Sequence, residues 1–464
     1  MKTRSLVLDS KQNFAWHSMQ EIIPFIVETW RQTATPDHEV NVIDIDQVSS
    51  QVLLSHALQA DQIVLSCFTP KIFRFAAYLR FQLKLNTRFI VHLHNQASIA
   101  CWPIRHWTRP DFIRKCDVFV SSCQRDLDCL YMTYPKARGV VIPFSSHRAM
   151  ALQTPAPAPS NEISFVFIGR ISSQKNLHTL FLSLSFLKKQ RADLKWSLHF
   201  FGAEDHLGSP NMNIQDTSYL NFLLQLSEVL GVRTNLIIHG FQSREVIHTH
   251  LQKQRQIFVV PSLHSDENFG MAAFQCLTQG HLAVLSDWGG HTDFKLHFPD
   301  QTFLTPVLQT SRGPAVHPDQ LFEQIFLAVQ QYGKVPGIPL PKAYQMESLI
   351  QKSKEILEIP PGAPEPEPTS EIADMILARI PIEVSNASPP IFESYADPLA
   401  TAYFQSYGMQ TKWPLPADST ELRMVPWLKS QKDAWQVEDP HRGHLTLPKT
   451  DESRQRLKEM GYFY

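Results

Sequence analysis

A chain of 464 residues, 43% hydrophobic and with 43 Lys and Arg against 44 Asp and Glu, is too apolar for disorder and too long for one ordinary core, so about two to three domains are expected. The formal net charge of −1 supplies no global field for nucleic acid, and no stretch approaches the roughly 18 apolar residues of a membrane span. Six cysteines without a Cys-x-x-Cys pair do not build a disulfide scaffold, and Cys116, Cys123 and Cys129 fit no common zinc spacing.

The chain runs from MKTRS straight into a strand over 6–8 without a long apolar leader, so a cytoplasmic setting is expected. A helix is expected over 17–31, where Ile22, Phe25, Ile26 and Thr29 share a face. Strands predicted over 40–45, 63–66, 89–93, 118–121 and 140–142 alternate with helical runs over 72–85 and 125–134. This is the pattern of a parallel sheet with right-handed crossovers. The run 71–88 interleaves Lys71, Arg74, Arg80, Lys84 and Arg88 with Phe73, Phe75, Tyr78 and Phe81. Such a helix can lie on an anionic membrane or a polyanionic acceptor, although a core helix with a solvated face is the default.

A Pro/Ala stretch over 154–160 continues neither helix nor central strand and reads as a linker. A second α/β block follows it. Its first strand, 163–168, ends in Gly169-Arg170, and the next helix carries Leu177, Leu180, Phe181, Leu184 and Leu187 on one stripe. Strands ending at Phe201-Gly202 and His239-Gly240 and helices near 219–230 and 244–252 lead to the stretch 256–290. There a strand, a polar loop, a helix bearing Met271, Phe274 and Leu277, a strand and the turn Asp287-Trp288-Gly289-Gly290 make a nucleotide-binding layout. Beyond 332 the pattern degrades into a Pro- and Glu-rich connector over 359–370 and a tail with Trp413, Trp427 and Trp435. The expected domains are 1–153, 161–335 and an extension, 336–464, that packs on the first domain or stands apart. Two such blocks make a cleft, with ligands at the carboxyl ends of the strands.

Several side chains at those strand ends suit chemistry on a diphosphate. Arg170 and Lys175 offer a guanidinium fork and an ammonium to phosphate oxygens. The helix start at Asn268, Phe269, Gly270 and Met271 presents free N–H groups, and Gly270 permits close approach. In the first block His92 and His94 face one side of a strand end, as contacts to a ligand, as structural histidines or as metal ligands without a third partner nearby. Asp44-Ile45-Asp46 has the form of a metal-binding Asp-x-Asp but sits at an ordinary strand end.

At Glu267-Asn268-Phe269-Gly270-Met271-Ala272-Ala273-Phe274-Gln275 and at Gly169-Arg170…Lys175-Asn176 the chain resembles the retaining GT-B glycosyltransferases of glycosyltransferase family 4, the glycosyl transferases group 1. The resemblance spans about residues 90–295. It implies an α/β fold of GT-B type, two Rossmann-like domains facing each other across a cleft, with a C-terminal extension. It implies a hexosyltransferase-type enzyme that moves a sugar from a nucleotide sugar to a glycan, lipid or protein, with retention and without cofactor or obligatory metal. His94, Arg170, Lys175 and Glu267 would be catalytic, and Gly202, Phe241, Asn268, Phe269, Gly270, Met271 and Gln275 would hold the donor. Two departures stand out: Gln275 replaces the motif's second Glu, and the first strand-to-helix loop has no glycine. They favour, as the alternative, a catalytically degenerate GT-B frame that binds nucleotide or sugar or serves as a scaffold.

Overall fold

The computed structural model describes residues 3–11, 18–67, 69–94, 109, 111–146, 159–204, 219–264, 267–310, 313–379, 398–410, 434–439 and 443–448. Most of the Pro/Ala linker, most of the glycine-free loop 9–16, Trp413 and Trp427 lie outside them. The chain divides into two compact units, one of Met1–Gln153 with Pro339–Ser385 and one of Thr154–Ile338 with Asn386–Tyr464. The residues after 336 are therefore shared between the units.

The first unit holds six parallel strands, β1 (Thr3–Asp9), β2 (His38–Asp44), β3 (Gln62–Leu65), β4 (Arg88–His92), β5 (Val118–Ser121) and β6 (Arg138–Val141), in the order β2-β1-β3-β4-β5-β6. Helices α1 (Met19–Arg31), α2 (Ser50–Gln59), α3 (Pro70–Ala77) and α4 (Gln124–Thr133) connect them. Leu6, Val7, Leu8, Ile63, Val64 and Leu65 are at most 1% exposed. Strands so apolar on both faces are what a parallel sheet covered on both sides requires.

The basic aromatic run resolves differently from a continuous surface helix. Helix α3 ends at Ala77 and passes into one π-helical turn, Tyr78–Gln82. Arg80 and Arg88 point inward, which removes two cations from the membrane-facing stripe envisaged for this segment. Arg80 forms a fully buried bidentate pair with Asp117, at 2.7 and 2.9 Å, and lies 4.0 Å over the Phe89 ring. Asp117 also accepts from the N–H groups of Phe89 and Arg114. Buried charge is tolerated only when paired and hydrogen-bonded this fully.

The Pro-rich connector is laid along this unit in extended form. Arg88 donates to the carbonyl of Ile359 at 2.6 Å, Lys115 N–H to Glu365 O at 3.0 Å and Glu367 N–H to Ile113 O at 2.9 Å. A Cβ on Gly362 would lie 2.3 Å from Lys115 O, so only glycine fits that contact. The flanking helices α11 (Met346–Glu358) and α12 (Glu371–Arg379) pack on α1 and α4.

The second unit also holds six parallel strands: β7 (Ile163–Ile168), β8 (Trp196–Phe201), β9 (Leu236–Gly240), β10 (Ile257–Val260), β11 (Leu282–Ser286) and β12 (Thr302–Thr305). Their order, β12-β11-β10-β7-β8-β9, read from the other edge is 3-2-1-4-5-6, that of a dinucleotide-binding Rossmann fold. Helices α5 (Leu177–Gln190), α6 (Tyr219–Val229), α7 (Arg244–Leu251), α8 (Met271–Thr278), α9 (His291–His297) and α10 (Pro318–Gln331) belong to it. A hairpin of β13 (Val307–Thr310) with β14 (Gly313–Val316) and helix α13 (Pro398–Tyr407) complete its core, and β15 (Ala434–Asp439) pairs with β16 (Gly443–Pro448). The described cysteines, Cys67, Cys116, Cys123, Cys129 and Cys276, are free and buried. No helix among the described residues is long and apolar enough to cross a membrane.

Replacing Asp117 by Ala would strand the Arg80 guanidinium in a dry core. The expected cost is about 3–5 kcal/mol, read as a lower urea midpoint, and an unchanged midpoint would contradict the assigned role.

Candidate active site

In a sheet of order 3-2-1-4-5-6 the strands flanking the reversal splay at their carboxyl ends and leave a crevice. Here those strands are β7 and β10. Strand β7 runs out into Gly169 and Arg170, and β10 into Pro261 and Ser262. Backbone crowding there is extreme: Gly169 N–H donates to Phe201 O, Gly202 N–H donates to Gly240 O, and a Cβ on Gly202 would sit 1.8 Å from Gly169 O. No other residue type fits at 202.

After β7 a short 3-10 turn, Ser173–Lys175, precedes α5, and Asn176 between them is left-handed at φ 55°. That kink turns Lys175 back toward the β10 loop, and Leu263 N–H donates to Gln174 O at 2.8 Å to tie the two loops together. The Lys175 ammonium pairs with the Glu267 carboxylate and lies 3.4 Å from Ser262 Oγ. Ser262 Oγ donates to Glu267 Oε2 at 2.6 Å. The Lys175 and Glu267 side chains are only 13% and 11% exposed. Burial by itself would raise the Glu267 carboxyl, but the Lys175 charge, then His291 and His264, hold it well below the ordinary carboxylate range. Burial lowers Lys175 from the ordinary amine range against the pull of Glu267, and the half-buried Arg170 pushes the same way.

The Glu267 loop is fixed from behind by the turn after β11. Gly290 N–H donates to Glu267 O at 2.7 Å and Trp288 Nε1 to His264 O at 2.7 Å. Cβ atoms on Gly289 and Gly290 would fall 2.2 and 2.3 Å from the carbonyls of Glu267 and Asn268. Gly270, at φ 85°, starts α8 with its Cα against the His291 ring, where a Cβ would lie 2.6 Å away. His291 Nε2 is 3.8 Å from Glu267 Oε1, and burial pushes this imidazole down to about 4. From the tail, Gly289 N–H donates to Tyr407 O at 3.0 Å, and Trp288 packs edge-on against the Tyr407 ring, 5.1 Å between centroids.

The remaining predicted residues distribute as follows. Asn268, Gly270, Met271 and Gln275 are half-buried on α8 and the loop before it. The Phe269 ring is core, 3% exposed and packed on Phe274 and Phe294, so only its backbone faces outward chemistry. Phe241, just past β9, is 63% exposed. Arg170, Lys175, Glu267, Gly202 and the α8 start thus share the carboxyl end of one sheet. His94 belongs to the first unit: its Nε2 is 2.9 Å from Ser66 O, its ring stacks on Phe144 at 5.4 Å, and burial pushes it down to about 4. His92 beside it is buried and accepts from Trp30 Nε1 at 2.7 Å. Asp46 is taken up by Lys71 at 3.0 Å and Ser10 at 2.7 Å, and the Asp-x-Asp forms no metal-holding group among the described residues. Sequence reasoning missed Ser262, His291 and Tyr407. Ser262 could have been flagged as the first hydroxyl after a buried strand; the other two reach the site only through tertiary packing.

Residues 152–306 match the model of the family described as glycosyl transferases group 1. No curated protein matches the sequence. Among solved structures, a lipopolysaccharide outer core galactosyltransferase, WaaB in its apo form, is similar at 14% identity and a TM-score of 0.51, covering 77% of this chain and 99% of its own. A glycosyltransferase from Rickettsia africae covers the same shares at 16% identity and a TM-score of 0.49. The strand orders and the matched segment converge: the chain carries a glycosyl transferases group 1 domain on a GT-B fold of two Rossmann-like domains.

Proposed function

We propose that the protein is a retaining, metal-independent glycosyltransferase of the hexosyltransferase type. Its donor diphosphate would lie at the β7–β10 switch point against Arg170, Lys175 and the N–H groups at the start of α8. Glu267 would accept hydrogen bonds from hydroxyls of the transferred sugar, Gln275 from the ribose, and Phe241 would stack on the base. His94, carried by the first unit, would contact the sugar and the leaving phosphate. The acceptor is a glycan, lipid or protein, and the setting is cytoplasmic.

The observation that carries this reading is the Lys175–Glu267 pair at the switch point of a nucleotide-binding sheet. Negative charge grows on the diphosphate as the glycosidic C–O bond breaks, and the fixed Lys175 ammonium, with the Arg170 guanidinium from the same loop, would stabilise it where it grows. Glu267 is neutralised by Lys175 and walled in by Ser262 and His291. A carboxylate so engaged is a poor covalent nucleophile, which favours departure and attack on the same face of the sugar over a double displacement of the glycosidase kind.

Three outcomes test the proposal. Arg170→Ala should slow release of nucleoside diphosphate from the cognate nucleotide sugar by roughly 10²–10³, a loss of about 2–4 kcal/mol in transition-state stabilisation, with the melting temperature little changed. Turnover should survive EDTA; abolition by chelation with rescue by Mn²⁺ would instead promote Asp44 and Asp46. Gln275→Glu should keep or tighten nucleoside diphosphate binding, since a charged acceptor gains on the order of 1 kcal/mol over a neutral one. Calorimetric titration of UDP, GDP and ADP reads this directly, and no binding of any of them by wild type or variant favours the degenerate scaffold.

A further inference from the structure

Away from the switch point, at the edge of the second unit's sheet, three histidines come together that no sequence spacing announces. His199 lies on β8, His239 on β9 and His250 on the last turn of α7. One ring nitrogen of each lies within 4.8 Å of the other two. The rings of His199 and His239 are nearly parallel, with Nδ1 of the first 2.9 Å from Nε2 of the second, and His250 packs 4.5 Å from His199 between ring centroids. Phe201 closes one side, stacked on His239 at 4.2 Å.

Backbone irregularity contributes to this meeting. The β8–β9 register slips between Phe200, opposite Ile238, and Phe201, opposite Gly240. His239 is therefore the extra residue of a bulge, a device that re-aims a side chain. The Nε2 atom of His250 is buried without a hydrogen-bond partner, a costly arrangement that calls for an explanation. Burial first, then the neighbouring imidazoles, push His199 and His250 down to about 4, and burial with Lys253 lowers His239.

We propose that His199, His239 and His250 form a zinc site that cross-links the edge strand β9 to β8 and α7. Three imidazole nitrogens without a thiolate or carboxylate suit a borderline ion such as Zn²⁺. With zinc–nitrogen bonds of about 2.1 Å, tetrahedral ligands stand about 3.4 Å apart, so the 2.9 Å contact between His199 and His239 opens by about half an ångström as the donating ring shifts its proton to its other nitrogen and both facing atoms present lone pairs. The cluster is half-buried, which leaves the fourth position to water. The role is structural, and it is independent of the donor site.

The test uses the full-length chain without an affinity tag, since tag histidines would mask the result. Zinc titrated calorimetrically against a competing chelator should bind with one ion per chain, and the melting temperature should rise with it. His239→Gln and His250→Gln should each weaken zinc by at least about tenfold while the zinc-free melting temperature stays near that of wild type. Co²⁺ added to wild type should give the intense visible d–d band of a tetrahedral site, an observation that needs no variant to fold. No tight binding by wild type, binding unchanged in both variants, or an octahedral Co²⁺ spectrum would each overturn the assignment.

Discussion

An ammonium and a carboxylate held against each other at the mouth of a parallel sheet constrain everything built around them. Taking each ion out of water costs several kcal/mol, and their attraction repays it only when the remaining lone pairs and protons are also satisfied. Lys175 and Glu267 meet that condition through Ser262 and through a loop backbone pinned by Gly290. Both loops must turn inward sharply, which is why Asn176 and Gly270 occupy the left-handed region. The result is an electrostatic site whose charges are positioned before any ligand arrives, the condition under which such groups lower a barrier without reorganising.

The two sheets were legible because their strands are buried on both faces and so read as short uninterrupted apolar runs between turn residues. The loops at the carboxyl end of the second sheet were legible because glycine, arginine and glutamate stand at fixed offsets from those strand ends. What could not be read depended on partners distant in sequence. Arg80 looks solvated among aromatics until Asp117, on another element, is brought under it. The exposure of Phe241 follows from its place just past the edge strand β9, which residue type alone does not announce. The Pro-rich connector carries few apolar side chains, and its order comes from backbone hydrogen bonds to the loops it crosses. The three clustered histidines sit on neighbouring strands and a crossover helix, an adjacency that exists only after the sheet has formed.

Glycines at this site act by the absence of a side chain more than by flexibility. Gly202 against Gly169, and Gly289 and Gly290 against the Glu267 loop, are contacts in which main chain touches main chain. Helix α13, from the far end of the sequence, seals the last of them through Tyr407. A Glu267 loop supported by backbone on one side and by a late helix on the other leaves little room for the carboxylate to wander. Its position is set by covalent geometry as much as by charge.

The division of the chain between its units has a consequence for how it comes into being. The polypeptide changes unit at residues 153/154, 338/339 and 385/386. On a ribosome, the first sheet emerges with Arg80 and Asp117 already able to meet, but the carbonyls that receive Arg88 and the helices that cover α1 and α4 follow only after the whole second sheet has been made. At synthesis rates of about 5–20 residues per second the wait is on the order of ten seconds or more, long compared with strand and helix formation. The second sheet waits in turn for Tyr407. Nascent chains of this protein therefore pass through a stage in which both sheets are formed but the surfaces taken by residues after 339 stand bare, open to chaperones until those segments have been made.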